Sequence, residues 1–289
     1  MRINAYILAA DPAWIEESVL SYYDIVDEIL VSHDRNSRGW TGAPIAAQDC
    51  LDRLRAIDRD KKMRFVAGDY SRPDFRPMEN DTYQRQCALA EVGDADWVLQ
   101  IDTDEVLPNP AALVGMLRQA EALDISTVEW PMRVLFHTLK NGQYLEVCAA
   151  DFSDCFEYPG PIAVRPGVTF VDARRTSGPF LRPVVAGDLQ SLQVRRSPEP
   201  NEHRVELHNN KDAILHRSWA RSAASVHSKI ASWSHNEGLR SWLFYYLRWK
   251  PAPYLWRVTR DFHPFARGLW PALKPCACCL PSSDAKALK

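Results

Sequence analysis

Over its first 122 residues the chain alternates short apolar runs with stretches whose apolar residues recur three and four apart. Ile3 to Ala9 is one such run and predicts a buried strand. After Pro12, the residues Trp14, Ile15, Val19, Leu20 and Tyr23 form a helical stripe. Asp27 to Asp34 predicts a second strand, and the polar, glycine-containing "RNSRGWTG" a loop. Ala46 to Ile57 is helical in pattern, "MRFVAGDY" reads as a third strand, "TYQRQCALAEV" as a helix and "DWVLQID" as a fourth strand. Pro108 and Pro110 open a further helix, Ala111 to Ala122.

This alternation predicts an α/β fold, doubly wound around a mostly parallel sheet. In such sheets ligands bind beyond the carboxyl ends of the strands. Asp34, Asp69 and Asp102 all fall at such ends, which predicts three acids along one crevice. After Ile125 the texture changes to short β-like runs, "STVEWPMRVLF", "QYLEVCA", "GVTFVDA" and "HRVELH", read as an antiparallel β extension. "FEYPGPIAVRPGV" reads as a Pro/Gly-rich loop region, and Ser218 to Asn236 as helical again. The expected organisation is one domain over 1–236, split into halves at 122/123, and a C-terminal helical and aromatic segment with a tail over 237–289.

Composition narrows the classes. A net charge of -2 carries no signature of nucleic-acid binding. The N-terminal apolar run is too short for a secretory signal, and no uncharged window reaches spanning length, so a cytoplasmic location is expected, at most peripheral to the inner face of a membrane. Scattered Cys50, Cys87, Cys148 and Cys155 suit reduced thiols. Cys276, Cys278 and Cys279 lack a second ligand pair for zinc and read as part of a weakly structured tail.

The chemistry concentrates in "WVLQIDTDEVL". An apolar strand there ends in Asp102, Asp104 and Glu105, and like charges at this range need a cation between them. A hard divalent ion with oxygen ligands is the natural partner. Glu105 reads as complementing the dipole of the next helix rather than as a ligand. A bare Asp-x-Asp is common, and its place at the end of a fourth strand is what raises its weight.

The order of these parts resembles the GT-A fold glycosyltransferases, family 2 in particular. The resemblance rests on "DEILVSHDRNSRGWTG", on "TYQRQCALAEVGDADWVLQIDTDEVL", on "AILHRSWARS" and on the β extension. It implies a metal-dependent transfer of a sugar from a UDP- or GDP-linked donor to a hydroxyl on a glycan, a lipid-linked or another acceptor. Residue by residue it implies that Asp34 binds the nucleoside, that Asp102 meets the ribose or the metal, and that Asp104 and His216 ligate Mn²⁺ or Mg²⁺. It places Arg85 near the donor, where a surface arginine on a helix is the plain alternative. The catalytic base an inverting enzyme requires has no aligned residue. Asp151 and Asp154 are the nearest candidates, although each taken singly reads more readily as part of a polar loop, and a retaining outcome stays open. The rivals are a nucleotidyltransferase, which "AADPAW" does not suit because it lacks a Gly-rich basic loop, and a non-catalytic nucleotide- or glycan-binding protein.

Arg240 to Lys274 carries ten aromatic and seven basic residues against one acid, Asp261. That composition fits peripheral contact with an anionic membrane, a core packing role, or a platform for stacking sugars. Four prolines within it break a continuous amphipathic helix.

Overall fold

The computed structural model describes residues 1–235 and 237–276. In chain order the strands are β1 (Ile3–Leu8), β2 (Glu28–Asp34), β3 (Met63–Gly68), β4 (Trp97–Leu99), β5 (Glu105–Val106), β6 (Thr127–Glu129), β7 (Met132–Thr138), β8 (Tyr144–Cys148), β9 (Pro161–Val164), β10 (Phe170–Asp172), β11 (Arg175–Thr176), β12 (Phe180–Val185), β13 (Glu202–Leu207), β14 (Ile214–His216) and β15 (Ala272–Pro275). The helices are α1 (Ile15–Leu20), α2 (Ala47–Ile57), α3 (Pro77–Glu91), α4 (Pro110–Ala122), α5 (Leu192–Arg195), α6 (Ala223–Ser232), α7 (Leu239–Phe244) and α8 (Ala252–Leu255).

Eight strands form the main sheet in the order β13-β12-β6-β9-β4-β1-β2-β3. Every neighbouring pair is parallel except those made by β9, which runs against both β4 and β6. The result is a mixed α/β architecture with a large, mostly parallel sheet. β1 lies between β2 and β4 and is buried at all six positions, as expected of an apolar strand covered on both faces. α2 buries Ala47, Cys50, Leu51 and Leu54, a stripe three and four apart. α4 starts where Asn109 accepts the Ala112 N–H and Pro110 takes the first helical position, whose N–H has no intrahelical partner.

The second half departs from the antiparallel extension expected. β6, β12 and β13 run parallel to one another and continue the main sheet. "PIAV", expected in a loop, is the fully buried β9 at the centre of that sheet. Pro161 can stand there because it opens the strand, where a missing N–H is tolerated. A second sheet, β15-β8-β7-β14-β5, is mixed. Its last strand, Ala272–Pro275, pairs with β8, so the C-terminal segment is woven into this sheet. The helix expected from Ser218 is shorter: Ser222 accepts the Ser225 N–H and α6 runs only from Ala223 to Ser232.

The C-terminal aromatics divide by face. Phe244, Tyr245, Trp249, Phe262 and Trp270 are buried in a second apolar core with Phe136, Val147 and Trp219. Cys50, Cys87, Cys148 and Cys155 are free thiols, as expected. Cys276 is buried and its N–H donates to the Tyr144 carbonyl, whereas Cys278 and Cys279 lie outside the described residues.

Candidate active site

β1, β2 and β4 end on one edge of the main sheet, and a cavity of about 590 Å³ opens beyond it. Ala9 and Asp11 reach it after β1, Asp34 at the end of β2 and Trp40 beyond it, and Asp102 to Glu105 after β4. The size suits a small organic ligand. Asp69 does not join them; it is exposed and 3.7 Å from Arg35.

Local pairing explains how distant segments meet. After β4 the chain turns, with the Glu105 N–H donating to the Asp102 carbonyl at 3.0 Å. β5 then pairs antiparallel with β14, setting His216 opposite Glu105. The Arg217 N–H donates to the Asp104 carbonyl at 2.8 Å. "AILHRSWARS" is thereby stitched to "DTDEVL", and His216 Nε2 comes to 3.8 Å from Asp104 Oδ1.

Two ion networks fill the floor. In the first, Arg85 donates to Asp81 at 2.7 Å and to both oxygens of Asp102 at 3.0 and 3.3 Å. Arg174 joins Asp102 to Glu105, meeting Glu105 at 2.7 and 3.2 Å. Burial pushes the Asp102 carboxyl up, but the Arg174 and Arg85 guanidiniums outweigh it and hold the group below the usual carboxylate range. In the second network Asp104 accepts from Arg221 at 2.7 Å and from Lys229 at 3.1 Å, and Arg221 also pairs with Asp11. Burial favours the neutral form of Lys229 and lowers its pKa although Asp104 opposes it. Arg85 Nη1 and Arg221 Nε are buried donors without a protein partner, so each network keeps capacity for one more acceptor.

The arrangement bears on the expected metal set. Asp102, Asp104 and His216 have suitable donor chemistry, and all three line the cavity. Yet each carboxylate already carries two cationic side chains. Among the described residues no group of three His, Cys, Asp or Glu side chains is disposed to hold a metal ion. As arranged, the residues do not fit one, because a divalent ion would meet Arg221 and Lys229 at Asp104.

The other expected residues fall as follows. Arg85 is buried and points into the site rather than to solvent. Glu105 is fully buried and paired with Arg174, so its role is in the ion network and not at the start of α4. Asp34 lines the cavity, with its carboxylate accepting the N–H groups of Asn36, Arg38 and Tyr70 at 2.9, 3.0 and 3.0 Å. It therefore shapes the loop beneath a ligand. Asp151 and Asp154 are not brought to this cavity. Asp151 accepts from Ser153 on an exposed loop, and Asp154 pairs with Lys274 beside a smaller, separate cavity.

Several site residues carried no local signal. Arg174 and Lys229 reach the acids from 72 and 125 residues away. Glu157 stands just before β9, lines the cavity and accepts the Trp270 indole N–H at 2.9 Å. Burial raises its pKa. An acid in the otherwise apolar "CFEYPGP" was the available hint. His235 also lines the cavity, as do Trp233, Phe265 and Trp270.

No family model matches the chain, and no curated protein matches it in sequence. Similarity to solved structures is loose. Mannose-6-phosphate isomerase from Helicobacter pylori matches at 12% identity with a TM-score of 0.32, over 52% of this chain and 56% of that one. CMP:2-keto-3-deoxy-manno-octonic acid synthetase complexed with CTP matches at 10% identity with a TM-score of 0.33, over 57% and 75%. An active-site mutant of LgtC matches at 15% identity with a TM-score of 0.28, over 45% and 46%. The first of these matches spans little more than half of the isomerase. Scores this low transfer neither fold nor activity.

Proposed function

We propose that this chain is a transferase that moves a sugar from a nucleotide-diphospho-sugar to an acceptor hydroxyl. One observation carries the reading: a cavity at the carboxyl ends of parallel strands gathers Asp34, Asp102, Asp104 and His216 with Arg85, Arg174, Arg221, Lys229 and Glu157. In this reading the nucleoside lies over the Asp34 loop. Arg221 and Lys229, shared with Asp104, offset the charge that develops on the diphosphate. Arg85 and Arg174 hold Asp102 ionised and in place.

Glu157 takes the acceptor's hydroxyl proton. The acceptor oxygen bonds to the anomeric carbon, and the carbon–oxygen bond to the diphosphate breaks with its electron pair leaving on the diphosphate. The outcome is inversion. A carboxylate with a raised pKa is the better base near neutral pH. Trp233 and Phe265 offer apolar faces on which an acceptor sugar can stack. The metal form of the mechanism, with Mn²⁺ or Mg²⁺ on Asp102, Asp104 and His216, requires Lys229 and Arg221 to release Asp104, and no step here runs through it.

A panel of nucleotide-sugars, with chromatography of released nucleoside diphosphate, tests this. The reading expects release from at least one sugar nucleotide, and loss of turnover with retained nucleotide affinity in Glu157→Gln. Diphosphate release from a nucleoside triphosphate would instead indicate a nucleotidyltransferase. Nucleotide binding without turnover would indicate a non-catalytic binder.

A further inference from the structure

The outward side of the C-terminal segment is apolar, although its inward side already fills a core. Among the described residues thirteen large apolar side chains are exposed, and seven of them lie between Leu239 and Val258. Leu239, Leu243 and Leu247 recur every four residues along α7 and the π-helical turn that continues it, with Tyr246 beside them. Tyr254, Leu255 and Val258 continue the patch on α8 and the turn after it, at 72%, 47% and 76% exposure. The opposite side of the same turns holds Phe244, Tyr245 and Trp249, which are buried. The stripe is thus fixed outward by its own core contacts.

Cations frame it. Arg240, Arg248, Lys250, Arg257 and Arg260 are all exposed on this stretch. Lys250 Nζ lies 5.7 Å from the Tyr246 ring centroid, Lys140 Nζ 5.7 Å from that of Tyr254, and the Arg260 guanidinium 5.3 Å from that of exposed Phe152. From these placements we infer that this face docks the protein on an anionic lipid bilayer. Leucine, valine and tyrosine side chains enter the headgroup and acyl boundary, while long basic side chains extend to the phosphates. Contact is peripheral, because no described helix is long and apolar enough to cross a membrane. A second copy is the poorer occupant, since a two-fold contact would set these cations against themselves. The same segment supplies Phe265 and Trp270 to the cavity, so docking would hold the site at a lipid surface.

Flotation of the full chain with phosphatidylcholine vesicles, with and without phosphatidylglycerol, tests the inference. Wild type should float with the anionic vesicles, and salt should release it. Leu243→Glu combined with Leu247→Glu should abolish flotation. Arg248→Glu combined with Lys250→Glu should weaken it by about fivefold or more per site, from the attraction of a basic residue near an anionic surface. None of these side chains lines the cavity, and the fluorescence of the fully buried Trp97, Trp130 and Trp219 reports that the variants are folded. Three results would overturn the inference: wild type left in the aqueous fraction with both vesicle types, equal flotation with neutral vesicles, or a concentration-dependent dimer that the leucine variants break. All three are independent of whether the cavity transfers a sugar.

Discussion

Arg174 holds two carboxylates that would otherwise repel, and replacing it by alanine exposes what that costs. Its guanidinium makes two hydrogen bonds to Glu105, at 2.7 and 3.2 Å, and one to Asp102. Asp102 keeps Arg85 and has 29% of its side chain accessible from the cavity, so its share of the loss is screened. Glu105 is fully buried, and without Arg174 its carboxylate keeps only the Asp102 N–H at 3.0 Å. Leaving a buried charge unpaired costs about 3–5 kcal/mol, a large part of the stability of an ordinary domain. The assay is urea unfolding followed by tryptophan fluorescence, since Trp97, Trp130 and Trp219 are fully buried reporters. Arg174→Ala should lower the midpoint at unchanged slope. Arg174→Met with Glu105→Leu should recover most of the loss, because an apolar pair of similar volume leaves no charge stranded. A loss under about 1 kcal/mol for the single variant, or a double variant no more stable than the single, would refute the buried-pair reasoning.

Other expectations follow from neighbouring parts of the site. Burial, with a smaller contribution from His235, pushes His263 down to about 4, and its Nδ1 accepts the Phe265 and Ala266 N–H groups at 3.1 and 2.8 Å. The folded protein holds this ring neutral while the unfolded chain protonates near 6.5, so its stabilisation is complete above that pH and lost as pH falls through 4. The loss, roughly 3 kcal/mol, should disappear from the pH profile of unfolding in His263→Phe. Gly39 packs the Asp34 loop against α6: a Cβ there would lie 3.0 Å from Ser232 Cβ and 3.1 Å from Ile45 Cγ2. Gly39→Val should cost about 1–3 kcal/mol in urea unfolding and weaken nucleotide binding, because the loop that lines the cavity must move. In Asp34→Ala three backbone N–H groups lose their acceptor, so both stability and nucleotide affinity should fall.

The first half of the fold was legible because its signals are local. β1, β2, α2 and α4 each carry their own apolar pattern, and α4 its own cap at Asn109. α3 was read as a helix, but not which way Arg85 points, because it buries Asn80, Asp81, Gln84 and Arg85 alongside Ala88 and Leu89. A helix that buries polar residues gives apolar periodicity little to report. β9 was missed for a different reason. "PIAV" is four residues between prolines, and only its place between β4 and β6 makes it a strand. The acids after β4 were legible as a site, while their partners were not. Asp102 meets Arg174, and Asp104 meets Arg221 and Lys229, through contacts that no spacing rule encodes. That is why the sequence suggested a metal between the carboxylates where the structure sets guanidinium and ammonium groups. The C-terminal aromatics were legible as amphipathic composition, but which rings turn inward depends on the core they meet.

The central claim is that the cavity binds a nucleoside diphosphate through Arg221 and Lys229. Titration calorimetry of UDP, GDP and CDP against the wild-type chain, Arg221→Ala and Lys229→Ala, each with Mn²⁺ and with chelator, tests it most directly. At least one of these should bind wild type with chelator present. Each variant should lose about tenfold or more in affinity, the loss expected for a hydrogen bond to a charged group. Failure of all three nucleotides to bind wild type in either condition, or binding that both variants leave unchanged, would contradict it.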